Sequence, residues 1–406
     1  MIGLSPLYTD VAAAKRIFFQ SSVNNKYSYG SGVGKKSYTS TSLCTIFGSA
    51  FSPTQSSGKS YLVACTSNGL ICVWDSIGSS STEPIVRVQA STADEVLYDV
   101  QFIESSGDTL LVVSGDPGIL IYKWSAFLNA MDNLSGGNSN IMLETIASFK
   151  PHPSPSDALG EPIEINSTSY NAFDNALYGV AGDSFGCYHW DLESGKLVGT
   201  FGGSGKNNYL HDVMSIPDYN NLVLTAGEDG AITFWDGKER KLIERVNVQN
   251  TMNKNKQSVS WQIQNKGQWS NVSNLWVSSM DRKGDWVAAV GGSESGNNMS
   301  SRSGPSASGF MATWHLPTRT FSSGCVTRES YNAIVYNQNL DSFVSGGNDG
   351  KLTFWDFATG ECTGRSGCTT SMIYTLCCTP SLMVAGGTGG SLDCFIDRVK
   401  ASNLTT

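Results

Sequence analysis

Several features that mark enzymes and metalloproteins are missing from this sequence of 406 residues. It has four histidines, and none has a second ligand at the spacing of a metal site (His152, His189, His211 and His315). No G-x-S-x-G elbow occurs, and every Gly-Lys pair lacks the glycine five residues earlier that a phosphate-binding loop requires. We therefore expect no catalytic activity, no cofactor, no metal and no small-molecule substrate.

Long apolar runs are also absent. No stretch of about 18 apolar residues is present that could cross a bilayer, so we expect no membrane partner. The ten cysteines include no C-x-x-C pair. Most of them stand beside apolar residues in predicted strands, where a free thiol packs as a small apolar group. This pattern favours reduced thiols over a disulfide-linked scaffold.

Basic residues are scarce. The sequence has 27 Lys and Arg against 35 Asp and Glu, which gives a net charge of −8. Nucleic-acid binding depends on Lys and Arg that neutralise phosphates, so we expect any RNA contact to be weak or indirect. The low charged fraction of 15% and the 43 glycines are typical of an all-β protein with many tight turns.

What the sequence does contain is a repeat. Seven times an apolar run is followed by a glycine-containing turn and an aromatic anchor, as in LVLTAGEDGAITFWD and FVSGGNDGKLTFWD. Most neighbouring anchors are 40–50 residues apart, which is typical of a WD-repeat β-propeller with four strands to each blade. The anchors, each predicted on the third strand of its blade, are Trp74, Trp124, Trp190, Trp235, Trp314, Trp355 and Phe395.

We interpret the repeats as a single domain, because a lone blade leaves its strand edges unpaired and only a closed ring removes them. The prediction is a seven-bladed WD-repeat β-propeller over 43–404. Residues 1–42 are predicted to form a short helical arm, with its helix at Thr9–Gln20, and a flexible linker. The predicted blades are 43–89, 94–149, 166–201, 209–247, 272–326, 330–366 and 371–404.

Four insertions interrupt the repeats. Residues 125–132 (SAFLNAMD) predict a short helix, on which Phe127, Leu128 and Met131 form part of one apolar face. This face is our candidate partner-binding site, although it could equally cover the bottom of the second blade. The insertions at 150–164, 248–269 and 293–309 are predicted to lie as loops on the opposite face of the ring.

The order of features resembles one WD-repeat family, THO complex subunit 6. The resemblance spans all seven repeats and is densest from the end of the third repeat into the fourth, with a second match up to and within the fifth. It is carried by Asp191–Gly195, Gly205, Tyr209–His211, Ala226–Ala231, Trp235–Asp236, Gly267–Trp269, Asp285–Val287, Gly291–Gly292 and Thr313–Leu316.

The resemblance implies a non-catalytic scaffold in the nuclear THO/TREX assembly, which packages nascent mRNA and passes it to the export machinery. The implied partners are other THO subunits, in particular the coiled-coil ones. Two alternatives stay open. One is a substrate receptor of a cullin–RING ubiquitin ligase, although none of the four Trp-Asp pairs continues as the Trp-Asp-x-Arg box used for docking there. The other is a generic WD-repeat scaffold in another complex.

Overall fold

A computed structural model describes residues 44–406, apart from 57, 76–81, 92–94, 134–138, 152–162, 183–185, 202–208, 220, 262–274 and 294–308. The predicted N-terminal helix and linker therefore lie outside the described residues, as does most of the 293–309 insertion. Among the described residues, no helix is long and apolar enough to cross a bilayer.

The strands form seven mainly antiparallel sheets arranged in a ring, which confirms the predicted seven-bladed β-propeller. In each sheet four strands follow one another in chain order. The first strand of every sheet contacts the first strand of the next sheet, all the way around. The first strands therefore surround the axis of the ring, and the fourth strands lie at its rim.

Sheets one and two contain nine strands and one helix. They are β1 (Ile46–Phe51), β2 (Tyr61–Thr66), β3 (Leu70–Asp75), β4 (Val86–Gln89), β5 (Leu97–Ser105), β6 (Asp108–Gly115), β7 (Gly118–Lys123), α1 (Trp124–Asn133), β8 (Ser139–Ile141) and β9 (Ala147–Phe149). After α1 the chain returns to sheet one, where β8 pairs in parallel with β4 as a fifth strand.

Sheets three and four are regular and have four strands each. They are β10 (Ile165–Asn171), β11 (Ala176–Ala181), β12 (Cys187–Asp191), β13 (Leu197–Phe201), β14 (Leu210–Ile216), β15 (Leu222–Gly227), β16 (Ala231–Asp236) and β17 (Lys241–Asn247).

The described part of the insertion at 248–269 forms regular structure, whereas we predicted a loop. It contains α2 (Val248–Lys254), a 3₁₀ turn (Lys256–Ser258) and β18 (Val259–Trp261), which pairs in parallel with the fourth strand of sheet five. Val248 and Met252 are buried on the underside of α2, and the Asn247 side chain caps its first turn, so apolar packing and capping order this segment.

The remaining strands complete the ring. They are β19 (Leu275–Lys283), β20 (Trp286–Ser293), β21 (Gly309–His315), β22 (Thr320–Thr327), β23 (Tyr331–Asn337), β24 (Ser342–Gly347), β25 (Lys351–Trp355), β26 (Cys362–Gly367), β27 (Ile373–Cys378), β28 (Met383–Gly387), β29 (Ser391–Ile396) and β30 (Val399–Thr405). The ring closes where β1 packs against β27, with a bridge between Thr45 and Thr388. β30 is the outer strand of sheet seven.

Asp-Gly turns set the pairing of the second and third strands in sheets four and six. Gly230 and Gly350 adopt φ of 65° and 64°, which side chains with a Cβ adopt only with strain. The preceding carboxylates of Asp229 and Asp349 accept hydrogen bonds from the backbone amides that begin the third strands. The turn residues therefore fix the register locally, as the sequence predicts.

Six of the seven aromatic anchors lie on third strands, namely β3, β12, β16, β21, β25 and β29. The prediction is wrong for Trp124, which is the first residue of α1 and directly follows the third strand β7. The helix begins one residue earlier than expected and takes this tryptophan into its first turn. Its ring is still buried, so its packing role does not depend on the strand.

Each pair of neighbouring sheets shares its own apolar core. Between sheets four and five, for example, the core includes Phe234 and Trp314, both almost completely buried. A single sheet could not bury these side chains, so the stability of each sheet depends on its neighbours. Replacing one of the large ones, as in Trp314→Ala, should cost about 3–5 kcal/mol.

Candidate interaction surfaces

The predicted partner-binding residues of α1 lie close together, but the central one is buried. The Phe127 ring is 0% exposed and stacks on Trp124 at 5.2 Å between ring centroids. Leu128 and Met131 are half-buried and pack against the same core. Phe127 thus forms part of the core between sheets one and two, while Leu128 and Met131 keep some surface. The partner-binding role of the three stays a prediction.

The strand order places α1 on a defined face of the ring. Because the strands alternate in direction, the turns between first and second strands share one face with those between third and fourth strands. We call this the lower face, and α1 lies there because it follows the third strand β7. The insertions at 150–164, 248–269 and 293–309 join fourth to first or second to third strands. Their described ends therefore lie at the upper face.

An exposed apolar surface, which the sequence analysis did not find, lies near the lower face on two neighbouring outer strands. Leu197 and Val198 begin β13 and are 37% and 44% exposed, and Leu242 and Ile243 in β17 are 56% and 45% exposed. We call these four residues the rim patch. A repeated signal could have indicated it, since lysine, leucine and a β-branched residue follow one another at 196–198 and again at 241–243.

A β-bulge explains why two successive apolar residues are exposed in each of these strands. The anchor Trp190 pairs with Leu197 and the residue before it pairs with Gly199, so Val198 has no partner across the strands. Ile243 occupies the same position opposite Trp235. A bulge breaks the alternation of side chains between the two sides of a strand, so both members of each pair reach the surface.

Arginines in the turns before the outer strands join neighbouring sheets at the rim. Arg319 Nε donates to Glu244 Oε2 at 2.7 Å, and Arg398 donates to the Thr363 carbonyl at 3.2 Å, in each case one sheet back. Arg240 lies in the same way against Gly199, where an added Cβ would be 2.9 Å from Nε. The contact between Arg240 and Gly199 brings β17 close to β13, and these two strands carry the rim patch.

The axis of the ring is shaped by seven further bulges. In every sheet, the pairing of the first strand with the second skips one residue near the start of the first strand. All seven skipped residues line one cavity of about 160 Å³ on the axis. They are Phe47, Tyr98, Asn166, His211, Ser278, Asn332 and Tyr374. No feature of the repeat pattern predicted these bulges.

Skipped polar residues hold neighbouring sheets together around the axis. Asn166 Nδ2 donates to the Leu210 carbonyl at 2.7 Å, and Ser278 Oγ donates to the Tyr331 carbonyl at 2.6 Å. Asn332 Nδ2 donates to the Ile373 carbonyl at 3.0 Å. In each case the accepting carbonyl precedes the skipped residue of the next sheet, so one geometry recurs at three of the sheet boundaries.

Three aspartates on first strands form a second set of hydrogen bonds between neighbouring sheets. Asp99 Oδ2 accepts a hydrogen bond from the Thr168 amide at 2.9 Å, from sheet two to sheet three. Asp212 Oδ2 accepts one from the Met280 amide at 2.7 Å, from sheet four to sheet five. Asp281 makes the equivalent contact with the backbone of sheet six. A carboxylate that accepts a backbone N–H forms a charge-assisted hydrogen bond, which is stronger than a neutral one.

Burial changes the acidity of two of these groups. It raises the pKa of Asp212 to about 7, an effect that the hydrogen bonds from Met280 and Ser167 oppose. It raises the pKa of Asp281 to about 6. Desolvation disfavours the charged form of a carboxyl group, and it dominates here although both groups accept hydrogen bonds.

Two basic side chains at the lower face form ion pairs with aspartates of the same chain. Arg282 pairs with Asp218 at 2.7 Å, while Lys283 pairs with Asp341 and lies 3.6 Å from the centre of the Phe357 ring. Among the described residues, no group of three potential metal ligands is found. All ten cysteines are free thiols.

Three curated proteins are similar to this chain over about three quarters of its length. THO complex subunit 6 of Arabidopsis thaliana is 28% identical over 319 residues, which cover 77% of this chain and 73% of that protein. The homologue of Danio rerio is 24% identical, with 74% and 79% covered. THO complex subunit 6 of Homo sapiens is 22% identical, with 77% and 76% covered. The chain is thus similar to members of the THO complex subunit 6 family.

These similarities confirm the resemblance to the THO complex subunit 6 family that was drawn from the sequence. No protein-family model matches the chain. Among solved structures, a chain in the crystal structure of the mitotic checkpoint complex is similar with a TM-score of 0.54 and 13% identity, covering 85% of this chain and 82% of that one. That similarity shows the propeller fold and nothing about function.

Proposed function

We propose that this protein is a member of the THO complex subunit 6 family and a non-catalytic scaffold subunit of the THO complex. We place it in the nucleus, where it would help to couple transcription to the packaging and export of mRNA. The observation that carries this proposal is the similarity to three curated THO subunits over three quarters of both chains.

The proposed partners are other THO subunits, including the coiled-coil ones. The rim patch supports a role in assembly, because its four aliphatic side chains are exposed, adjacent and near the lower face. An exposed cluster of this kind on an edge strand is a typical site of protein contact. Leu128 and Met131 lie on the same face and stay candidates for the same interface, whereas Phe127 could contribute only by positioning them.

We also propose that RNA contact is indirect or weak. The net charge is −8, and the Arg282 and Lys283 side chains are already paired with aspartates. Both features disfavour the release of counterions that drives binding to phosphates.

The proposal can be tested by purifying the tagged full-length chain, expressed at its natural level, from nuclear extract. The extract is treated with nuclease so that RNA cannot bridge proteins, and the proteins that co-purify are quantified by mass spectrometry. We expect the other THO subunits in near-stoichiometric amounts.

An unrelated tagged seven-bladed propeller, purified in parallel, serves as the control for nonspecific capture. Recovery of cullin–RING ligase subunits in place of THO subunits would support the alternative reading and contradict the proposal. Recovery of THO subunits only without nuclease would contradict a direct scaffold role.

A further inference from the structure

The cavity on the ring axis has an aromatic side. Phe47, Tyr98 and Tyr374, from three neighbouring sheets, pack together and are nearly buried. The Phe47 ring centroid is 5.9 Å from that of Tyr98 and 5.2 Å from that of Tyr374, with the planes tilted by 59° in both pairs. All three residues line the cavity, and aromatic side chains attract cations.

The other side of the cavity carries two carboxyl groups. Asp99 and Asp212 both line it, and both are half-buried with part of their surface facing its interior. The two carboxylates are close enough that Asp99 contributes to raising the pKa of Asp212. No lysine or arginine is among the described residues of the cavity wall, where His211 is the single basic side chain.

One residue of the cavity wall has a buried hydrogen-bond acceptor with no donor among the described residues. The Asn166 side chain is only 5% exposed, and its Nδ2 atom donates to the Leu210 carbonyl. Its Oδ1 atom is buried and has no hydrogen-bond partner among the described residues. A buried acceptor left without a donor costs roughly 1–3 kcal/mol, so a guest or water that donates to it is favoured.

We propose that this cavity binds an ammonium group, presented as a lysine side chain, methylated or not, by a partner polypeptide. The three rings contact the methyl or methylene groups next to the charge, and Asp99 and Asp212 supply the opposite charge. A volume of about 160 Å³ is well below that of pockets for drug-sized ligands, so it accommodates the end of one side chain. The proposal does not depend on membership of the THO complex.

The test uses the purified full-length chain and three small probes. N-acetyl-lysine methylamide and its trimethyl-lysine analogue carry the charge, and N-acetyl-norleucine methylamide is the neutral control. Saturation-transfer and titration NMR measure binding. We expect both charged probes to bind at least tenfold more tightly than the neutral one, and their affinity to fall with added salt. Tighter binding of the trimethyl probe would assign the main contact to the rings, and tighter binding of the lysine probe would assign it to the carboxylates.

Three variants test whether the residues that line the cavity bind the probes. Asp212→Asn should weaken the charged probes about tenfold or more, as loss of a charge-assisted contact does. Tyr98→Leu removes an aromatic face and should weaken them, whereas Tyr98→Phe keeps the ring and should bind them within about twofold of the natural chain. Because the Asp212 pKa is about 7, the affinity of the natural chain should rise from pH 6 to pH 8, as Asp212 ionises beside Asp99.

Equal binding of the neutral probe, or unchanged affinity in Asp212→Asn, would overturn the proposal. If Asp212→Asn fails to fold, Asp99→Asn replaces it, because the two carboxylates belong to different sheets and different backbone bridges. Thermal unfolding of each variant shows that lost binding is not lost structure. No THO subunit is present in these experiments, so their failure leaves the proposed function untouched.

Discussion

The backbone amide of Met280 donates a 2.7 Å hydrogen bond to the carboxylate of Asp212 across the boundary between sheets four and five. Asp212 also accepts from the Ser167 hydroxyl of sheet three at 2.9 Å, so one carboxylate contacts the first strands of three sheets. Burial makes ionisation of this carboxyl group costly in the folded state, and the extent of ionisation depends on pH. The stability of the ring should therefore depend on pH in a defined direction.

We expect stability to fall as pH rises from about 4 to about 7. The pKa of Asp212 is raised in the folded state to about 7, so the folded chain holds a proton that the unfolded chain has lost in this range. Asp281, with a pKa of about 6, acts in the same direction. The Asp212→Asn variant should show a shallower decrease in urea-unfolding free energy between pH 4 and pH 7. An unchanged slope would contradict this assignment.

Substitutions in α1 should separate packing from partner contact. Phe127→Ala removes a fully buried ring between sheets one and two and should cost about 3–5 kcal/mol of stability. Met131→Glu changes a half-buried residue and should cost much less stability than Phe127→Ala. Loss of THO subunits in co-purification with Met131→Glu, at an unchanged melting temperature, would support the predicted interface. Normal assembly would exclude Met131 from it.

The rim patch gives a sharper test of assembly. Leu242→Ser with Ile243→Ser removes two exposed apolar side chains from β17 and should reduce co-purification of THO subunits several-fold. Stability should change by less than about 1 kcal/mol, because exposed positions contribute little packing. Ile396→Ser with Val399→Ser is a matched control on sheet seven, where both residues are 50% or more exposed. Equal loss in the two double variants would argue against the patch.

The insertion at 293–309 should be dispensable for folding. Replacing residues 293–308 with Asn-Gly joins Gly292 to its paired residue Gly309 by a two-residue hairpin, and Gly309 is kept because a Cβ there would meet the Glu329 carbonyl at 1.8 Å. Lengthening a flexible loop costs only about 0.6 kcal/mol per doubling, so the shorter loop should leave the melting temperature unchanged or slightly higher. A loss of several degrees would show that the insertion packs on the ring.

The repeat pattern determined the architecture without help from the tertiary structure. Each apolar run, Asp-Gly turn and aromatic anchor is local in sequence, and a turn such as Asp229-Gly230 fixes strand pairing through its own φ and side-chain hydrogen bond. Seven such units can bury their faces only against one another, so the ring follows. The family resemblance could also be recognised from the sequence alone, because short stretches inside the repeats carry it.

The tertiary structure decided everything that depends on two sheets meeting. The bulge that turns Tyr98 toward the axis and the bridge from Asp212 to Met280 join residues distant in sequence, and no local pattern specifies their partners. Phe127 shows the same limit, since helical spacing identified its apolar face but could not say whether a neighbouring sheet covers it. Periodicity reports which side chains need burial, whereas the packing of neighbouring sheets decides which of them obtain it.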